Sequence, residues 1–136
     1  MRRVFVDAGG FFAHLVFEDP AHERATTLFK AAKDEAWRLA TTNAVVFETY
    51  ALLLSRTRAG RRHAMEFLDR VEQGLCVVHR VSARDEKAAV ALVRAHKDKM
   101  YSLCDASSFV VMERLRIKEA IAFDRHFRAY GRFMIL

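Results

Sequence analysis

The sequence is short of the residues that build disulfide scaffolds, disordered tails and membrane spans. It has two cysteines, one proline and five glycines in 136 residues. Cys76 lies in an apolar run and Cys104 beside an acid; neither belongs to a paired framework or a CxxC motif, so both are expected to be reduced thiols. The scarcity of Pro and Gly, with no low-complexity stretch, linker or internal repeat, argues against a disordered or fibrous chain. No apolar run approaches the roughly 20 residues needed to cross a bilayer, and Met1-Arg2-Arg3 leads straight into a short strand rather than a signal-peptide apolar region. A cytoplasmic protein is expected. The six histidines, His14, His22, His63, His79, His96 and His126, show no metal-ligand spacing among themselves or with the cysteines, which disfavours zinc.

What is present is a chain that is 52% hydrophobic and 29% charged, enough for a real core, and residues 1–136 are expected to form a single domain. The formal net charge of +6 favours an anionic partner, nucleic acid first, because clustered Lys and Arg attract phosphate and release its counterions. No Lys-rich membrane-type amphipathic segment stands out.

Periodicity predicts alternating strands and helices. Arg3-Val4-Phe5-Val6-Asp7 reads as a buried strand ended by an acid and Gly9-Gly10; a short apolar helix over 11–17 and a second from Pro20 to about Asp34 follow. A second strand over 37–41 leads to a helix capped by Thr42 or Asn43, with Glu48 on its first turns. A helix from Arg61 to Gln73 ends at Gly74, and residues 76–81 form a third strand. Ser82 opens a helix to about Lys97, Ser102 caps another over 103–115, and residues 119–123 form a fourth strand ending at Asp124. A short helix or turn then precedes a last strand over 133–136. Strands separated by helices imply parallel pairing through right-handed crossovers, hence an α/β class fold: a three-layer α/β/α sandwich around a mainly parallel sheet.

Ligands in such sheets bind at the carboxyl ends of the strands, where Asp7 and Asp124 fall. With Glu48 and Asp105 on the first turns of two helices, four acids can converge on one cleft. Like charges so placed need protons or hard cations to neutralise them, and Mg²⁺ or Mn²⁺ with oxygen ligands fits best. Such an ion activates water against a scissile phosphate, so the implied reaction is phosphodiester hydrolysis. Each acid also has an ordinary explanation: a turn acid for Asp7, a capping box with Ser102 for Asp105, an exposed helix face for Glu48, and an ion pair with Arg125 or a helix cap for Asp124. Only the set points to a site.

Val4-Phe5-Val6-Asp7, Thr42-Asn43-Ala44-Val45-Val46-Phe47-Glu48, Leu103-Cys104-Asp105-Ala106-Ser107-Ser108-Phe109 and Ile121-Ala122-Phe123-Asp124-Arg125-His126-Phe127 together resemble PIN-domain proteins, especially VapC-type toxin ribonucleases. The likeness spans nearly the whole chain. It implies a PIN-like sandwich with about five strands, Mg²⁺ or Mn²⁺ dependence, cleavage of single-stranded RNA and a homodimer. Carried over by motif, Asp7, Glu48, Asp105 and Asp124 are the metal-binding catalytic acids and Ser108 a supporting polar group, with Ser107 as the alternative. Many relatives have Thr or Ser where this chain has Ala122 and Cys104, which removes or weakens hydrogen-bonding groups near the acids.

Cations near the rim would bring RNA to the acids; Arg56, Arg58, Lys97, Lys99 and Arg125 are the candidates, with Arg61, Arg62 and Arg128 behind them. The apolar segment Phe11, Phe12, Leu15, Val16 and Phe17 is either core or a groove for a second copy or a small antitoxin protein. Two other readings keep the same residues. One is a PIN nuclease in RNA processing outside any toxin–antitoxin pair; the other is a non-catalytic Mg²⁺-binding α/β signalling or RNA-binding module.

Overall fold

In the computed structural model, which describes residues 1–136, the β-branched and aromatic run Arg3–Val6 is strand β1, buried from Val4 onward. The chain continues as α1 (Ala8–Leu15), α2 (His22–Asp34), β2 (Arg38–Thr42), α3 (Asn43–Arg56), α4 (Gly60–Glu72), β3 (Val77–His79), α5 (Ala83–Ala95), α6 (Leu103–Leu115), β4 (Glu119–Ile121), α7 (Arg125–Tyr130) and β5 (Met134–Ile135). The five strands form one sheet in the order β3-β2-β1-β4-β5, every pair parallel. The expected α/β/α sandwich is present. Right-handed crossovers place α1 to α4 on one face and α5 to α7 on the other, because the strand order reverses direction between β3 and β4.

Aromatic side chains fill both layers. Phe11 of α1 packs on Phe67 of α4 and Phe29 of α2, with ring centroids 5.1 and 6.2 Å apart. On the other face Phe127 of α7 lies between Phe5 of β1 at 6.3 Å and Phe109 of α6 at 4.9 Å. Each such buried ring supplies a large apolar surface, and truncation to Ala costs about 3–5 kcal/mol. The early apolar segment is therefore mostly core: Phe11 and Val16 are buried, and Phe17 alone is fully turned to solvent, 78% exposed.

Several boundaries differ from the expectation, and at two helix starts the reason is tertiary. α1 starts at Ala8 rather than Phe11, so Gly9 and Gly10 are helical and do not form a turn. Gly10 is there because the helix presses on the sheet: a Cβ at this position would sit 2.7 Å from the Ile121 carbonyl oxygen and 3.0 Å from Val6. α4 likewise begins at Gly60, whose missing side chain leaves room for the Leu54 carbonyl. β3 and β4 are shorter than the apolar runs containing them, and α5 stops at Ala95, short of Lys97. Asp124 consequently stands three residues beyond β4, at the N-cap of α7, instead of ending the strand.

α6 matches its expected bounds, and α5 and α6 both open with capping boxes, Ser82 with Asp85 and Ser102 with Asp105. Asp85, 2% exposed, also receives a two-pronged ion pair from Arg114, Nε to Oδ1 at 2.9 Å and Nη2 to Oδ2 at 2.8 Å, which ties α5 to α6.

Two substitutions test this packing by urea denaturation. Gly10→Ala is expected to destabilise the protein by about 2 kcal/mol through overpacking against β4. Arg114→Ala should cost about 2 kcal/mol, because Asp85 is then buried without its charged donor. A midpoint unchanged in either variant would contradict the corresponding contact.

Candidate active site

A cleft of about 320 Å³ opens at the carboxyl edge of the sheet, beside the crevice between β1 and β4 where the strand order changes direction. Asp7, Glu48, Asp105 and Asp124 all line it. Four acids separated by up to 117 positions in the chain are thus neighbours.

Each is positioned by local structure. Asp7 follows β1 and occupies the N-cap position of α1, but its side chain makes no capping bond. It is 3% exposed, and its Oδ1 has no hydrogen-bond partner. Burial pushes its carboxyl up to about 7; the Ala8 backbone N–H opposes this, and Asp105, Glu48 and Asp124 add to it. Asp105, 5% exposed, accepts a hydrogen bond from the Ser102 backbone N–H at 3.2 Å while the Ser102 hydroxyl accepts from Asp105 N–H at 3.0 Å. Its pKa is raised, chiefly by burial and further by Asp124, while the Ser102 bonds and His126 pull it down. The capping role and a place in the acidic cluster coexist in one side chain.

Asp124 accepts a 2.8 Å hydrogen bond from the His126 backbone N–H, so it caps α7 and makes no ion pair with Arg125. Glu48, on the second turn of α3, is half-buried with its carboxylate in the cleft, not on a solvated face. Cys104 stands between Glu48 and Asp105; burial pushes its thiol well up, and the carboxylates of Glu48, Asp7 and Asp105 push the same way, so it stays a thiol. Ser108, one turn after Asp105, is fully buried and its hydroxyl has no partner. Ser107 instead donates to the Cys104 carbonyl at 2.8 Å and is committed to its own helix.

Two groups, one in the cleft and one beside Asp105 and Asp124, have no site role in the sequence reading. Asp19, in the loop before α2, lines the mouth while accepting from Ala21 N–H at 2.8 Å. His126 places a ring nitrogen so that it and one carboxylate oxygen each from Asp105 and Asp124 lie within 4.8 Å of one another. The only hint was its place two residues after Asp124 in Asp-Arg-His-Phe.

Among the expected cations, Arg56 lines the cleft and Arg58 continues from it into an adjoining groove. Lys97, Lys99 and Arg125 are exposed side chains outside that lining, and Lys99 lies 3.8 Å from Asp98.

A sequence model of the PIN domain matches residues 4–132. This chain belongs to the PIN-domain family. Among curated proteins, this PIN domain is 36% identical over 129 residues to the 23S rRNA-specific endonuclease VapC20 of Mycobacterium tuberculosis, in two strains, covering 94% of each chain. It superposes on the crystal structure of M. tuberculosis VapC20, a Sarcin-Ricin loop cleaving toxin, with a TM-score of 0.87 and 30% identity over 97% of this chain and 98% of the other. VapBC2 from Rickettsia felis, bound to a DNA fragment from its promoter, shares the fold at a TM-score of 0.71 and 9% identity, over 98% and 97% of the two chains. PIN domains are metal-dependent nucleases, and the acidic cluster fits that chemistry. A buried carboxylate oxygen with no donor, among three further acids, is a position that a cation satisfies and a protein dipole does not. No helix of this PIN domain is long and apolar enough to cross a membrane.

The raised pKa of Asp7 makes stability depend on pH in a stated direction. Between the ordinary value of 3.8 and about 7, the folded protein holds a proton that the unfolded chain has released. Stability of the metal-free protein therefore falls as pH rises through that window, by up to about 1.4 kcal/mol per unit. Urea denaturation at stepped pH should show this decline, reduced in Asp7→Asn; equal slopes would contradict the burial argument.

Proposed function

We propose that this chain is an Mg²⁺- or Mn²⁺-dependent endoribonuclease that hydrolyses phosphodiester bonds of single-stranded RNA, and the toxin of a type II toxin–antitoxin module. The observation that carries the reading is the convergence of Asp7, Glu48, Asp105 and Asp124 in one cleft, with a buried Asp7 oxygen left without a donor. Likeness to VapC20, a 23S rRNA-specific endonuclease, supports ribosomal RNA as the substrate class. Residues 1–136 act as a single catalytic domain in this reading, in the cytoplasm where ribosomal RNA resides.

The four carboxylates are the groups that would hold the ion. When bound, a divalent cation neutralises charge on the phosphate and makes a water more acidic. The chain's own residues do the rest. Asp105 is pinned by the Ser102 capping bonds and Asp124 by the α7 cap, so neither has to be ordered as substrate arrives. Ser108 holds an unpaired hydroxyl one turn below Asp105, available to orient a carboxylate. Arg56 at the cleft and Arg58 beyond it draw the phosphate chain across the acids, which would otherwise repel it. Phe12 and Phe123 supply apolar walls where a base can rest.

Two protein partners belong to this reading. A small antitoxin would occlude the cleft, and a second copy would form a homodimer. Phe47, Leu54 and Leu103, exposed 67, 44 and 58%, offer apolar surface for such contacts.

Cleavage of a fluorescent RNA with Mn²⁺ is expected for the wild type and reduced at least about 100-fold in Asp7→Asn and Asp105→Asn, in line with losses seen when a key electrostatic group is removed. Equal cleavage by all three proteins would sink the site assignment. Arg56→Ala should weaken RNA binding and lower the slope of log affinity against log salt by about 0.7, the value for one single-strand phosphate contact; an unchanged slope would remove Arg56 from the RNA path.

A further inference from the structure

We infer that His126 is a nitrogen ligand at the Asp105 and Asp124 end of the cleft, giving this site a preference for Mn²⁺ over Mg²⁺. This rests on the metal-dependent reading above, and goes beyond it by adding a residue that is not an acid and a selectivity that the acids alone do not create.

The geometry is specific. One atom each from Asp105, Asp124 and the His126 imidazole already lie within 4.8 Å of one another. Donors on one octahedral ion are about 3.0 Å apart when adjacent and about 4.2 Å when opposite, so side-chain rotation that closes these distances by roughly an ångström brings all three onto it. His126 is held beside Asp124. Its backbone N–H is held by Asp124 Oδ1 at 2.8 Å, and its ring stands edge-on to Tyr101, centroids 5.5 Å apart at 83°. Tyr101 is itself 7% exposed and braced against Phe109 at 5.3 Å. The rings of His22, His63 and His96 are instead engaged with Ala13, Thr57 and Leu92. A separate observation marks the cleft as an ion site: Asp7, which lines it and is 3% exposed, has a carboxylate oxygen without a donor.

The selectivity follows from ligand chemistry. Mg²⁺ keeps oxygen ligands and several waters; Mn²⁺ also favours oxygen, but as a first-row transition ion it takes a nitrogen donor beside carboxylates more readily than Mg²⁺ does. Removing the imidazole therefore takes more from Mn²⁺ than from Mg²⁺.

The test is metal binding to the full chain stripped of metal. In the wild type, the Mn²⁺ electron-spin echo should carry nitrogen modulation, and calorimetric titration should show Mn²⁺ binding at least about tenfold tighter than Mg²⁺. His126→Gln is expected to lose the nitrogen modulation and to weaken Mn²⁺ about tenfold while moving Mg²⁺ by less than about twofold. His126→Ala, checked for a native circular dichroism spectrum, should do the same. Asp105→Asn and Asp124→Asn should weaken both ions. An echo without nitrogen modulation in the wild type, or equal effects on both ions in the His126 variants, overturns the inference and leaves the acidic site standing. Undiminished binding of both ions by Asp105→Asn and Asp124→Asn overturns the metal site itself, and the inference with it.

Discussion

A carboxylate at the end of the central strand, sealed from water and lacking a donor for one oxygen, is an unfavourable thing to build, and the carboxyl edge of the sheet is organised around it. An unpaired buried charge opposes folding by several kcal/mol unless it is neutralised. At Asp7 the relief offered by the Ala8 N–H at the start of α1 does not match the cost of burial, and the side chain makes no capping bond further into the helix. The surrounding acids worsen its position, and only a proton or a cation reverses the balance. Stability has to come from elsewhere, and the capping boxes of α5 and α6, the Asp85–Arg114 ion pair and the two aromatic layers are where it is found.

The same packing sets the spacing of the site. Asp105 rides on α6 and Asp124 opens α7, and these two helices are held together by Phe109 against Phe127 at 4.9 Å and against Tyr130 at 4.2 Å. Asp7 is set against them by α1, which Gly10 allows to approach Ile121 of β4. Glu48 is carried in from α3, an element that contacts both α1 and α6. Glu48 and Asp105 are therefore mounted on helices fixed by core contacts, while Asp7 and Asp124 stand at the N-cap positions of α1 and α7, Asp124 pinned by its own capping bond.

Much of this was legible in residue patterns, and the exceptions have identifiable causes. The parallel sheet followed from alternating strand and helix periods. α6 was bounded correctly because Ser102 and Asp105 form a capping box, a signal contained in four adjacent residues. Gly9-Gly10 misled because glycine reads locally as a break, whereas here it answers a contact with a strand more than a hundred positions away. The acids formed a set because strand ends and helix first turns put them at one edge of the sheet, with the family resemblance added to that, although Asp124 is a helix cap and not a strand end. His126 and Asp19 carried no local signature; a short helix and a loop bring them to the cleft. Lys97, Lys99 and Arg125 are exposed outside the cleft lining, and charge in a sequence does not say which way a surface faces. Arg56 and Arg58, at the end of a helix that carries one of the acids, were better placed from the start.

The strand order has a consequence in time. β1 pairs with β2 early in the chain, but its other edge waits for β4, with Val4 opposite Glu119 and Val6 opposite Ile121. During synthesis one edge of the central strand thus stays unpaired until the segment carrying β4 has been made. Asp105 and Asp124 lie in the same late segment, so a nascent or prematurely terminated chain holds Asp7 and Glu48 without their partners. The acidic cluster is complete only once the segment through Asp124 has been made and β4 has paired with β1, so a chain stopped before that point does not carry the full site.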